Sequence, residues 1–249
     1  MQSLKTHTVA TELADTFLVY WSNGAKQPKG IIKVRITADI EDKPIAAELA
    51  VMRHLLEVQS VLGEKLVGHA NTRLVVSLGA IRKLHRMQSD KTHLAPYANF
   101  LTTRFAACSL SVDKDTRWYA DSVSLSVQDL LVTGPQRETL TVTGLGTVAV
   151  TQHVLARFAL RYMTETTPDK VAQHAWKKLV AVASDKSLRE VARTGMWRAA
   201  QSLRDGKQTS RYFLSPLKGL VLVVTDNPRE GKRLVTTYPA NHQFRELAA

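Results

Sequence analysis

Apolar and polar positions alternate in several short stretches of the chain and recur at helical spacing in others, which predicts an α+β protein. Thr16–Tyr20 (TFLVY) reads as a strand and leads into a turn at Ser22-Asn23-Gly24. In Ile31–Ile40, Ile32, Val34 and Ile36 alternate with their neighbours, which predicts a second strand. Lys43-Pro44 opens a helix, because proline fits the first helical turn. Its apolar face runs over Ile45–Leu62 and stops at Gly63. Arg73–Ser77 predicts a strand, Gly79–Met87 a short basic helix, and Phe105–Val112 and Thr116–Leu125 two more strands.

Gly134-Pro135, within Val132–Arg137, breaks any regular element and sets the expected domain boundary. The two predicted domains are residues 1–135 and 136–249. After the break, a strand or two within Thr139–Val150 precede a helix through Val150–Tyr162. Thr167–Ala183 predicts a further helix. Ser187 and Glu190 have capping-box spacing, predicting a helix that closes at Gly206. Leu220–Thr225 and Leu234–Tyr238 flank a turn-like segment and predict a β-hairpin.

Charge adds a functional direction. The 249 residues include 34 Lys and Arg against 22 Asp and Glu, for a net charge of +12. Residues 141–249 hold 17 of those cations and 8 of the acids, so most of the excess lies in the second half. Such an excess attracts polyanions. RNA is the expected partner, DNA is the second polyanion that fits, and a regulatory protein is a further expected partner. Cys108, the sole cysteine, sits in an apolar stretch and reads as core; one cysteine excludes an internal disulfide and a cysteine-rich zinc site. No apolar run reaches the ~20 residues of a membrane helix, and the first residues lack the apolar core of a signal peptide. The expectation is a cytoplasmic protein with no membrane partner.

Ala47-Glu48-Leu49-Ala50, at the start of a helix that reaches Leu56-Glu57, resembles the A-E-L-x-A … L-E pattern of the ribonuclease H family. The order strand, strand, helix, strand over residues 15–80 resembles that fold as well. In the family this glutamate binds metal together with carboxylates on two strands and a later helix. Here the corresponding first-strand position falls at the turn Ser22-Asn23-Gly24, and the later one at Ser77. Ala120-Asp121 resembles the family's last Ala-Asp but lies in or near a predicted strand. Two-metal cleavage needs several converging carboxylates. The resemblance therefore implies a degenerate ribonuclease H-like mixed-sheet domain, with Glu48 a solvated residue deprived of its partner ligands. No metal site and no cofactor are expected.

The sharpest constellation follows the boundary. On a helix, His153, Arg157 and Arg161 project at about 0°, 40° and 80°. Leu155, Phe158 and Tyr162 project at about 140–200°, on the other side. One face packs and the other offers an imidazole with two guanidiniums. That grouping suits RNA cleavage without a metal, with histidine moving protons and arginine neutralising the phosphorane-like transition state. The downstream run of Tyr212, a strand, a turn and a strand ending V-T-x-Y resembles the fold of the RelE-like and colicin-like bacterial RNase toxins. That resemblance implies a small helix-plus-antiparallel-sheet domain with catalytic His153, Arg157, Tyr212, Thr236 and Tyr238. Arg161, Arg198, Lys207, Arg211, Lys232 and Arg233 are the expected nucleic-acid contacts. The expected function is a metal-independent endoribonuclease of toxin or phage-defence type. The alternative is a non-enzymatic nucleic-acid-binding subunit of a ribonucleoprotein or mobile-element complex.

Overall fold

The computed structural model describes residues 2–24, 29–63, 71–120, 125–164, 168–193, 210–228, 231–240 and 244–246. The fold is α+β and divides into two compact units, Met1–Gln136 and Arg137–Ala249. Among the described residues, no helix is long and apolar enough to cross a membrane.

Unit 1 contains β1 (Gln2–Ala10), β2 (Thr16–Ser22), β3 (Gly30–Ile36), α1 (Lys43–Glu57), β4 (Thr72–Val76), α2 (Gly79–His85), α3 (Ala95–Thr102), β5 (Ser109–Val112) and β6 (Val127–Val132). The sheet order is β5-β4-β1-β2-β3-β6. β1, β2 and β3 run antiparallel in succession, β4 and β5 are parallel to β1, and β6 is parallel to β3. Period-two alternation sends Leu4, Phe17, Val19, Ile32, Val34, Leu74 and Val76 to one face, where Leu49, Met52 and Leu55 of α1 bury against them. Cys108 is part of this core.

Three expectations change here. The first strand is β1, not Thr16–Tyr20. The alternation rule missed it because its inward positions are Leu4 and the hydroxyl residue Thr6, both fully buried. α1 ends at Glu57 rather than Leu62: Gln59 N–H donates to His54 O, Val61 N–H donates to Leu55 O, and the chain reverses at Ser60 with φ 49°. The expected strand Thr116–Leu125 is a 3₁₀ turn at Arg117–Tyr119, started by the Asp115 carboxylate accepting from Arg117 N–H. The edge strand beside β3 is β6, whose residues alternate poorly because most of them are exposed. Asp121 lies outside the described residues.

Unit 2 contains β7 (Glu138–Val142), β8 (Gly146–Val150), α4 (Gln152–Tyr162), α5 (Pro168–Ala183), β9 (Arg189–Arg193), β10 (Ser210–Ser215), β11 (Leu220–Asn227), β12 (Gly231–Pro239) and β13 (Phe244–Glu246). The sheet order is β13-β9-β10-β11-β12-β8-β7. All neighbours are antiparallel except β8 and β12, which are parallel. A bulge interrupts β11–β12 at Val223/Val224. The helix expected from Ser187 is overturned where it is described, because Arg189–Arg193 is β9. Ser187 N–H and Oγ both donate to Asp185, so the expected cap serves a turn. Glu190 pairs with Arg211 across β9–β10, and ladder pairing wins over the local pattern. The rest of that expected helix, through Gly206, lies outside the described residues.

Candidate functional site

Three places gather the chemistry. The first is Glu48 on α1, which is fully buried rather than solvated. Its carboxylate accepts from Thr6 Oγ at 2.9 Å, Ser77 N–H at 2.7 Å and Ser77 Oγ at 2.8 Å. Ser77 Oγ in turn accepts from Thr8 N–H at 3.1 Å. β1 and β4 are adjacent parallel strands, and this places Thr6 and Ser77 under the first turns of α1. The residue that faces Glu48 from the first strand is thus Thr6. Asn23, from the turn where the sequence put that position, instead donates to Val61 O. Burial pushes the Glu48 carboxyl up, and the hydrogen bonds from Ser77 and Thr6 hold it partly down. Three neutral donors around one carboxyl tie a helix to two strands. Among the described residues, the group with metal-ligand spacing is Glu41, Asp42 and His93. There Lys91 Nζ stands 2.7 Å from Asp42 and already offsets its charge.

The second place is the outer side of α4. Thr151 caps the helix, its Oγ accepting from Val154 N–H. Val154, Leu155, Phe158 and Ala159 are buried, and His153, Arg157 and Arg161 occupy exposed positions. Arg161 reaches β12, donating to Thr236 Oγ at 3.2 Å and to Thr237 O, with its guanidinium 4.8 Å from the Tyr238 ring centre. Arg161, Thr236 and Tyr238 therefore meet. Tyr212 is buried in an apolar cluster with Val191, Val221 and Val223, against which Tyr238 also packs. His153 begins the helix, eight residues before Arg161, which is about 12 Å along the axis. The structure thus brings Arg161, Thr236, Tyr238 and Tyr212 to one neighbourhood, with Arg157 about one turn and His153 about two turns back along α4. Among the other expected contacts, Arg211 forks onto Glu190 at 2.8 and 2.6 Å, and Lys232 Nζ donates to Leu145 O at 2.8 Å. Arg233 is exposed. Arg198 and Lys207 lie outside the described residues.

The third place was missed by sequence reasoning. It is the face of the unit 1 sheet turned away from α1. At one end Tyr119 stacks on Tyr20 with ring centres 4.2 Å apart, beside His7, and Lys5 Nζ lies 4.8 Å from the Trp118 ring centre. The other end is an open groove of about 490 Å³ lined by Thr16, Lys33, Arg35, Asp129, Leu131 and the loop Leu13–Asp15. Its signal was present in IIKVRI: the alternation that buries Ile32, Val34 and Ile36 fixes Lys33 and Arg35 together on the opposite face.

Compared with family models, curated proteins and solved structures, the chain has no significant match.

Proposed function

We propose that the protein binds nucleic acid, RNA in the first place, without cutting it, as a subunit of a ribonucleoprotein or mobile-element complex. The observation that carries this reading is the exposed His153–Arg157 side of α4, which makes no ion pair among the described residues and lies in the half of the chain with most of the excess charge. Cleavage of the toxin kind needs His153, Arg157, Tyr212, Thr236 and Tyr238 around one phosphate. Here Tyr212 is enclosed by valines, Thr236 accepts from Arg161, and His153 stands about two helical turns away from them. Binding is therefore the function that the geometry supports best.

Unit 1 fits the same reading. Its strand order, with α1 between β3 and β4, supports a ribonuclease H-like unit whose acidic positions are occupied by Thr6 and Ser77. Such a unit serves as a platform, since a lone buried carboxyl supplies too few ligands for two-metal chemistry.

The test is anisotropy with fluorescent RNA across a salt series, alongside a cleavage gel with and without EDTA. Expected are salt-sensitive binding, intact RNA in every lane, and binding weakened about fivefold or more by His153→Ala with Arg157→Ala, as for lost phosphate contacts. Absence of binding at low salt would sink the proposal. Cutting that survives EDTA and disappears in His153→Ala would replace it with the endoribonuclease reading.

A further inference from the structure

We propose that the groove over Lys33 and Arg35 in unit 1 is a binding site for single-stranded nucleic acid, with phosphates on the two cations and base faces against Leu13 and Leu131. This deepens the reading above and rests on it.

The argument begins with register. Lys33 and Arg35 are two residues apart on β3, hence about 6.7 Å apart along one face. They lie opposite Asp129 and Leu131 of β6. Both cations are exposed, and neither makes an ion pair among the described residues. Of the two carboxylates in the lining, Asp15 is held by Lys43 at 2.5 Å, so Asp129 alone opposes them. The groove therefore carries a net positive charge. Its volume, about 490 Å³, falls within the range of small-ligand sites.

The apolar flank narrows the ligand. Leu131 is 60% exposed and Leu13 is 64% exposed. Two leucines left in water beside two unpaired cations fit a ligand that is charged along one edge and apolar on its faces. A single strand with unpaired bases has that character. A duplex turns both backbones outward and keeps its base faces stacked inside, so it would set phosphates against the leucines. The stacked pair Tyr20–Tyr119 at the other end of the face extends the same kind of surface.

The test uses the full chain and a labelled twelve-nucleotide RNA, single-stranded or annealed to its complement, read by anisotropy. Wild type is expected to prefer the single strand. Lys33→Ala with Arg35→Ala should bind it about tenfold more weakly, with the slope of log K against log salt reduced by about 1.4, two phosphates' worth. Asp129→Asn should bind two- to threefold more tightly, on the order expected for removing one repelling surface charge. It tests the groove even if the double variant fails to fold. If wild type binds, His153→Ala with Arg157→Ala weakens binding, and the Lys33/Arg35 and Asp129 variants match wild type, this inference falls and the function stands. If wild type binds neither RNA form, both fall. Equal affinity for the duplex overturns the assignment to single strands. Displacement of RNA from the groove by poly-glutamate at matched charge would make it an acidic-peptide site instead.

Discussion

Glu48→Gln and Glu48→Ala separate two roles for a buried carboxyl. Glu48 receives hydrogen bonds from Thr6 Oγ, Ser77 N–H and Ser77 Oγ, and it has no exposed surface. Alanine leaves the Ser77 amide without its acceptor, at a cost of about 1–3 kcal/mol. It also removes four heavy atoms from a packed site, which adds roughly 1 kcal/mol. Thr6 keeps a long alternative to Val75 O at 3.5 Å, so its loss is smaller. The expected total is about 2–4 kcal/mol of unit 1 stability. Glutamine keeps the oxygen that serves Thr6 and the Ser77 amide, and its NH₂ can donate to Ser77 Oγ. Its cost at pH 5 should stay near 1 kcal/mol or below. The pH dependence follows from burial raising the folded carboxyl above its ordinary value of 4.5. Below that value both the folded and the unfolded chain hold the proton, and the stabilisation is fully present. Above it the unfolded chain loses the proton first, so native stability falls as pH rises toward the folded value. Glu48→Gln lacks this slope, and its stability relative to wild type should therefore improve from pH 4 to pH 8. Urea unfolding followed by hydrogen exchange of β1 and β4 peptides measures this within unit 1. A glutamine variant as damaged as the alanine variant at pH 5, or a relative stability that worsens with pH, would refute the reasoning.

Two other perturbations follow from the packing. Arg161→Ala removes the bonds to Thr236 Oγ and Thr237 O and the guanidinium over Tyr238. Because the side chain is exposed in part, the loss should be about 1–2 kcal/mol, seen as faster exchange of β12 amides, with a change below about 0.5 kcal/mol ruling out the tie. Gly30→Ala would bring a Cβ to 2.7 Å from Trp21 Nε1, so the indole must shift. A cost of about 1–3 kcal/mol and an altered tryptophan emission are expected, and a neutral substitution would count against the close approach.

The elements legible in the sequence were those whose burial follows a clean period. β3 buries Ile32, Val34 and Ile36, and α4 buries Val154, Leu155 and Phe158, so hydropathy alone marks them. β1 escaped because Thr6 occupies an inward position, where its hydroxyl serves Glu48 rather than the apolar core. The Ser187–Glu190 pattern misled because Asp185, two residues away, captures the serine, and Arg211 captures the glutamate. The candidate site divides in the same manner. The cationic stripe of α4 is a property of one helix and could be read from its spacing. The burial of Glu48 depends on residues 42 and 29 positions distant, and the seat of Arg161 on one 75 positions distant. No local window contains those pairings.

The parallel meeting of β8 and β12 sets an order in time. Unit 1 has every one of its described strands once Val132 has emerged from the ribosome, and its sheet can close at that point. In unit 2, β8 is an early strand whose neighbour on one side is β12, near the end of the chain, and Lys232 reaches back 87 positions to the Leu145 carbonyl. While the intervening chain is being made, β7 and β8 form a hairpin whose β8 edge lacks the neighbour it has in the finished sheet. An open edge of that kind is where a nascent chain pairs with a neighbour or recruits a chaperone. Slowing translation between Val150 and Gly231 should therefore burden unit 2 while leaving unit 1 already folded, so that yield of the intact protein is limited by the arrival of β12.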